Sequence, residues 1–159
     1  VQREDFCVLR SIVKPRINVL TIAVNDLEKS LAFYRDGLGL PTQGIVGTEF
    51  EGNATEPSGA VAFFELQGGL IFALYPRTEL AKDAQRIDGP PSATEFSIGY
   101  AVRTKEEVDL LVDQAREAGA LVTAAPRDRP WGIYAGYFQD LDGHLWEIMW
   151  NPALDVKES

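Results

Sequence analysis

The chain is short of the side chains that most often carry chemistry: its 159 residues include one cysteine, one histidine and one methionine. A single thiol, Cys7, excludes an internal disulfide and a cysteine zinc cluster. A single imidazole, His144, excludes an iron site of two histidines and a carboxylate within one subunit. Positive charge is scarce too. Fifteen Lys and Arg against 24 Asp and Glu leave a net charge of -9. That balance argues against nucleic acid as a partner and favours cationic over anionic ligands. No apolar run approaches the length of a membrane span, so no membrane is expected as a partner. Residues 1–10 carry charges of both signs and no long apolar core, so no signal peptide is expected. Asn53-Ala54-Thr55 matches a glycosylation acceptor and, without a secretion signal, is read as chance.

What is present suffices for one domain with a real core: 45% hydrophobic and 25% charged residues, the balance of a globular chain. The expectation is a cytoplasmic, single-domain protein over residues 1–159. It divides into an N-terminal arm (1–15), a first module (16–85), a linker (86–94), a second module (95–152) and a tail (153–159).

The stretch that organises the chain lies near its end. Trp131-Gly132-Ile133-Tyr134-Ala135-Gly136-Tyr137-Phe138 and Leu145-Trp146-Glu147-Ile148-Met149-Trp150 read as aromatic-rich strands joined by Asp140-Leu141-Asp142-Gly143. Asp-Gly between apolar runs signals a hairpin, because Gly accepts positive φ and Asp bonds its own backbone. One carboxylate, Glu147, interrupts the second strand. Alternation puts Leu145, Glu147 and Met149 on one face and His144, Trp146, Ile148 and Trp150 on the other.

Upstream, 17–24 is strand-like. Asn25 and Asp26 are capping candidates, Asn25 with Glu28 at capping-box spacing. Leu27, Leu31, Tyr34 and Leu38 recur at helical spacing, and Gly37 and Gly39 stop the helix. Strands are expected at 43–48, 60–66 and 70–75, then a short helix near 78–85. In the second half a strand over 96–102 precedes a helix capped by Thr104, with Glu107 at the capping-box position. Val108, Leu111, Val112 and Ala115 form its buried stripe and Gly119 ends it. A strand at 120–123 and a charged loop at 126–130, holding Arg127 and Arg129, lead to the hairpin.

The two halves repeat one order of elements. Setting Val24 on Val102 aligns 17–24 with 95–102, and 68–75 falls on 143–150. Each half is strand, helix, then three strands. This organisation resembles the vicinal oxygen chelate superfamily, which includes glyoxalase I, bleomycin-resistance proteins, extradiol dioxygenases and fosfomycin-resistance enzymes. The carriers are Ala23-Val24-Asn25-Asp26-Leu27-Glu28-Lys29-Ser30 with Phe33-Tyr34 and Gly37-Leu38-Gly39, and Asp140-Leu141-Asp142-Gly143-His144-Leu145-Trp146-Glu147. The resemblance implies an α+β fold in which two βαβββ modules form a cupped, curled mixed sheet with helices outside. It also implies a homodimer.

In that family metal ligands stand early in the first strand and in the last strand of each module. Here those positions read as Val19, Ser97, Phe72 and Glu147, so one of four expected ligands survives. A lone carboxylate holds no divalent ion tightly, and no cofactor is expected. The leading reading is a metal-independent small-molecule binding protein of the bleomycin-resistance type. Its ligand, aromatic or cationic, is expected against Val19, Phe72, Ser97, Trp131, Tyr134, Tyr137, Glu147 and Met149. The alternative is an enzyme, a lyase, isomerase or oxygenase, using Glu147 as acid/base or metal ligand. A third reading is a regulatory module whose cup is filled by its own side chains. His144 is read as a turn residue, and Asp140 and Asp142 as shaping the hairpin.

Overall fold

Residues 15–90, 92 and 96–156 are described in a computed structural model of the chain. The arm up to residue 14, part of the linker and the last residues of the tail therefore lie outside the described residues. The first module runs β1 (Val19–Val24), α1 (Leu27–Ala32), β2 (Ile45–Val46), β3 (Val61–Glu65), β4 (Ile71–Pro76) and α2 (Arg77–Asp83). The second runs β5 (Ser97–Val102), α3 (Lys105–Glu117), β6 (Leu121–Asp128), β7 (Tyr134–Gln139) and β8 (Leu145–Trp150). Each module carries a four-stranded mixed sheet, in the order β1-β4-β3-β2 and β5-β8-β7-β6. The first strand runs parallel to the last, and the rest are antiparallel. The α+β fold of two βαβββ modules is thus present, but the two sheets do not close into one cup.

Local chemistry explains the elements. Asp26, not Asn25, caps α1, its carboxylate accepting from Lys29 N at 3.0 Å. Asn25 is otherwise engaged: its amide N–H donates to Asp142 Oδ1 of the other module at 2.7 Å. After α1 the chain widens into a π-helical turn over Phe33–Gly37. Thr104 caps α3 as expected, accepting from Glu107 N, while the Glu107 carboxylate takes the amide of Arg103 rather than that of Thr104. The charged loop expected at 126–130 is largely strand. β6 continues to Asp128 through two register shifts, which carry Arg127 opposite Ala135. Such bulges let a strand bend without ending.

The modules meet through one core. Ile22, Val24, Phe64, Phe72 and Leu74 from the first sheet and Phe138, Trp146 and Ile148 from the second pack with Val108, Val112 and Ala115 of α3. Tyr34, 1% exposed, stands at the centre. Its ring touches Phe64, Phe72 and Trp146, and Phe72 and Trp146 meet edge to face at 5.9 Å. The inner face of each sheet is therefore spent on its own module's helix and on the shared core, and its outer face looks away from this core.

Gly37 marks the closest approach. A Cβ there would lie 2.5 Å from the Ala118 Cβ just beyond α3, and its carbonyl accepts from Gln114 Nε2 at 3.0 Å. Gly37→Ala is expected to force the first-module helical turn off α3 and cost about 1–3 kcal/mol, read as a lowered thermal midpoint.

Candidate functional site

The open face of the second sheet is built in cross-strand rows. Register aligns Ser97 with Leu145 and Leu145 with Gln139. The next row runs Gly99, Glu147, Tyr137, Ala124, and the next Ala101, Met149, Ala135, Arg127. Glu147 thus sits in mid-sheet with Gly99 beside it on β5, and the end of the flexible Met149 side chain lies over that glycine. A Cβ at Gly99 would meet only the Met149 Cε, at 3.2 Å. On the other side Tyr137 is the register partner of Glu147, close enough for the carboxylate to act on its phenol. Burial and then the Glu147 charge push the Tyr137 phenol up, while Arg129 and Arg127 draw it back down. A carboxylate, a phenol, a serine hydroxyl and a thioether above small residues make a floor able to orient a ligand and exchange a proton with it.

The structure separates several residues that the sequence grouped. Ser97, Tyr137, Glu147 and Met149 share this face. Val19, 49% exposed, lies on the outer face of the other sheet. Phe72 faces inward and is 1% exposed, so it lines no cup. Glu147 is paired in register with Gly99, as Ala73 is with Thr21. Since β1 matches β5 from Val19 to Ser97 onward, the counterpart of Glu147 is Ala73, and Phe72 corresponds to Trp146. The repeat alignment from sequence was one residue out in the last strand, and one residue turns a strand position to the opposite face.

Tyr134 also faces inward. Its hydroxyl donates to Asp109 Oδ1 of α3 at 2.6 Å and Lys105 Nζ stands 5.5 Å over its ring. The hydrogen bond to Asp109 is the main reason its phenol is pushed up to about 12. The side chain of Trp131 lies outside the described residues.

Two places bring together residues of metal-ligating type or position. Of the family ligand positions, Val19, Ala73 and Ser97 supply no charged donor, and the phenol of Tyr137 does not replace an imidazole. That donor set does not fit a tight divalent site. Elsewhere Asp140, Asp142 and His144 place one ligand atom each within 4.8 Å of one another, the one such group among the described residues. Each carboxylate oxygen of the group already accepts from a protein donor. Asp140 Oδ1 accepts from the amides of Asp142 and His144 at 2.9 and 2.8 Å, and Oδ2 from Tyr34 and His144 Nδ1 at 2.6 and 2.7 Å. Asp142 Oδ1 and Oδ2 accept from Asn25 N and Ser30 Oγ at 2.7 and 3.0 Å. Among the described residues no buried side-chain polar atom lacks a partner. This cluster is a bolt between the modules. The carboxylates shape the hairpin, as their sequence suggests, and they also reach across to the first module, which no local pattern could show.

Paired βαβββ modules with a carboxylate in mid-strand define a class. Residues 16–148 match the family model of the glyoxalase/bleomycin resistance protein/dioxygenase superfamily, and the chain belongs to that family. It is 31% identical over 137 residues, 83% of this chain and 81% of the relative, to the metallothiol transferase FosB of Staphylococcus epidermidis. It is 28% identical to the uncharacterised protein YraH of Bacillus subtilis, over 81% of this chain and 93% of that one. A glyoxalase-related enzyme from Fulvimarina pelagi superposes with a TM-score of 0.74 at 26% identity, covering 91% of this chain and 94% of that one. The fosfomycin resistance protein FosX of Listeria monocytogenes shares the fold, with a TM-score of 0.62 at 20% identity over 89% of this chain and 97% of that one. Members of the superfamily bind small-molecule substrates, often use a divalent metal and often form dimers. Among the described residues no helix is long and apolar enough to cross a membrane.

Proposed function

We propose that this chain binds a small organic molecule on the open face of the second sheet, with Glu147 and Tyr137 orienting it and no divalent metal required. The observation that carries the reading is the row Gly99, Glu147, Tyr137. A carboxylate is kept beside a glycine that only the flexible end of Met149 covers, while its would-be co-ligands are Val19, Ala73 and Ser97. Met149 and Leu145 flank it with apolar surface, and Tyr137 offers a ring for stacking. The chemistry suits an aromatic or amphipathic ligand with a donor or cationic group turned toward Glu147.

The ligand is enclosed, on this reading, by a second copy of the chain. Each sheet spends its inner face on the shared core, and β1 and β5 each have a strand on one side only among the described residues. A dimer that sets the Val19 face of one protomer over the Glu147 face of its partner completes the cup that a single chain leaves open.

A thermal-shift screen of aromatic and amphipathic compounds, run in parallel on wild type and Glu147→Gln, tests the reading. At least one compound is expected to raise the midpoint of the wild type and to bind the variant at least tenfold more weakly. No stabilising compound, or equal stabilisation of both proteins, would sink it. A second reading, an enzyme with Glu147 as base and Tyr137 as relay, draws on the contact between those two groups and the 31% identity to a metallothiol transferase. Stoichiometric metal in protein purified without chelators favours that reading.

A further inference from the structure

The open face of the second sheet carries charge of both signs. Arg127 stands opposite Ala135, and Ala135 opposite Met149, one row beyond that of Tyr137 and Glu147. Its neighbours in β6 turn the other way. Pro126 packs toward Gly136, where a Cβ would meet it at 3.0 Å, and Gly136 pairs with the buried Ile148. Asp128 meets Lys105 of α3 at 3.2 Å. Alternation therefore leaves Arg127 on the open face and brings Arg129, just past the end of β6, to the same side. The backbone there is held, because the Arg129 amide donates to the Ile133 carbonyl at 2.6 Å. Both guanidinium charges reach the Tyr137 phenol and oppose the rise that burial and the Glu147 charge impose on it. Among the described residues neither arginine side chain takes part in an ion pair. A chain of net charge -9 thus keeps two uncommitted arginines beside its ligand face.

From this we infer that Arg127 and Arg129 set the ligand class of the Glu147 face: a small zwitterion whose carboxylate is held by the two arginines and whose amine turns to Glu147. Its flat apolar body lies between them, over Tyr137, Ala135 and Met149. The inference rests on the Glu147 reading and narrows it. The planar fork of a guanidinium matches a carboxylate, so the arginine wall selects that group rather than any negative charge. Glu147 and Arg127 stand two strands apart, about 10 Å across the sheet. One compact charge cannot serve both walls, whereas charges at opposite ends of a ring can. A singly charged ligand satisfies one wall and is repelled by the other. The sign of the bound group therefore follows the local field, not the acidic balance of the whole chain.

Three probes share one ring and differ in charge at pH 7: 4-(aminomethyl)benzoate is a zwitterion, 4-methylbenzylamine a cation and 4-methylbenzoate an anion. Each is titrated into the full chain while its backbone amide shifts are followed. The zwitterion is expected to move Gly99, Ala135 and Glu147 and to bind at least five times more tightly than either singly charged probe. Arg127 is exposed and Arg129 half-buried. Arg127→Gln and Arg129→Gln are each expected to weaken the zwitterion and the anion at least fivefold. Amine binding is undiminished in both variants, which also shows that the face is intact. Glu147→Gln has the complementary effect, weakening the zwitterion and the amine and sparing the anion. An amine that binds as tightly as the zwitterion and depends on Glu147, or a zwitterion that still binds when both arginines are replaced, overturns this inference and leaves the Glu147 reading standing. If none of the three probes moves this face the inference is also overturned, and the thermal-shift screen decides the Glu147 reading on its own.

Discussion

Asp140→Ala is expected to be the most damaging single change in the chain, costing about 3–5 kcal/mol, because it removes a buried charged acceptor and leaves its donors without a partner. The carboxylate is 6% exposed as a residue and accepts from four donors: two backbone amides, the Tyr34 hydroxyl and His144 Nδ1. Alanine leaves all four unpaired in the interior, and each buried unpaired group carries its own desolvation cost. For a chain of this size the loss corresponds to a fall of roughly 10 °C in the melting midpoint. Asp140→Asn keeps the shape and one acceptor, so a smaller loss of about 1–3 kcal/mol is expected. Urea unfolding of the two variants side by side tests the order; equal stability of Asp140→Ala and wild type would contradict the role of the bolt.

The same network sets a pH dependence. Burial pushes the Asp140 carboxyl up, but hydrogen bonds from His144 and Tyr34 outweigh it and hold it below the ordinary carboxylate value. Its proton is then bound more weakly in the folded than in the unfolded chain. Its contribution is full above about pH 4 and is lost as pH falls through the depressed folded value. Tyr34 behaves oppositely: burial, then the Asp140 charge and hydrogen bond, raise its phenol well above the usual value. Its contribution is full below about pH 10 and is lost as pH rises through the folded value. Wild type is expected to lose stability at both ends of this window, with the acid limb flattened in Asp140→Asn.

Trp146→Ala is the second large effect, expected at about 3–5 kcal/mol. The indole stacks on Phe138 at 6.0 Å, meets Phe72 edge to face at 5.9 Å, and donates from Nε1 to the Tyr34 hydroxyl at 3.1 Å. It joins both sheets to the central tyrosine, so its removal opens a cavity at the seam rather than within one module. A double-mutant cycle with Phe72→Ala distinguishes this from ordinary core loss. Coupling of roughly 0.5–3 kcal/mol is expected for side chains in contact, and additive losses would place the two residues in separate cores.

How far the sequence carries varies with the range of the interaction. The Thr104 cap, the glycine ends of the helices and the Asp-Gly hairpin are local, and they are legible because the residues that make each feature stand within a few positions of each other. Gly143, at φ +86°, sits where only the hairpin's own geometry matters. Alternation in β8 likewise gives the face of Glu147 and Met149 correctly, because a strand's period is two. The fate of Phe72 is not legible in that way. Its face depends on the register between distant strands, and a one-residue slip in the internal alignment moved it from core to cup. Nor is that of Tyr134, whose partner Asp109 stands 25 residues away on α3. Asp140 and Asp142 show the same limit. Their turn is local, but Tyr34, Ser30 and Asn25 lie 106 to 117 residues distant. Tyr137 stands opposite Glu147 only through the pairing of β7 with β8, strands whose register no local pattern fixes.

The most direct test of the central claim is a structure of the full chain with the strongest stabilising compound from the thermal-shift screen. The account predicts the ligand against the second sheet, with a polar group within hydrogen-bond distance of the Glu147 carboxylate or Tyr137 hydroxyl and its body between Gly99 and Met149. A ligand bound elsewhere with this face bare, or a face filled by the partner protomer's own side chains, would contradict it.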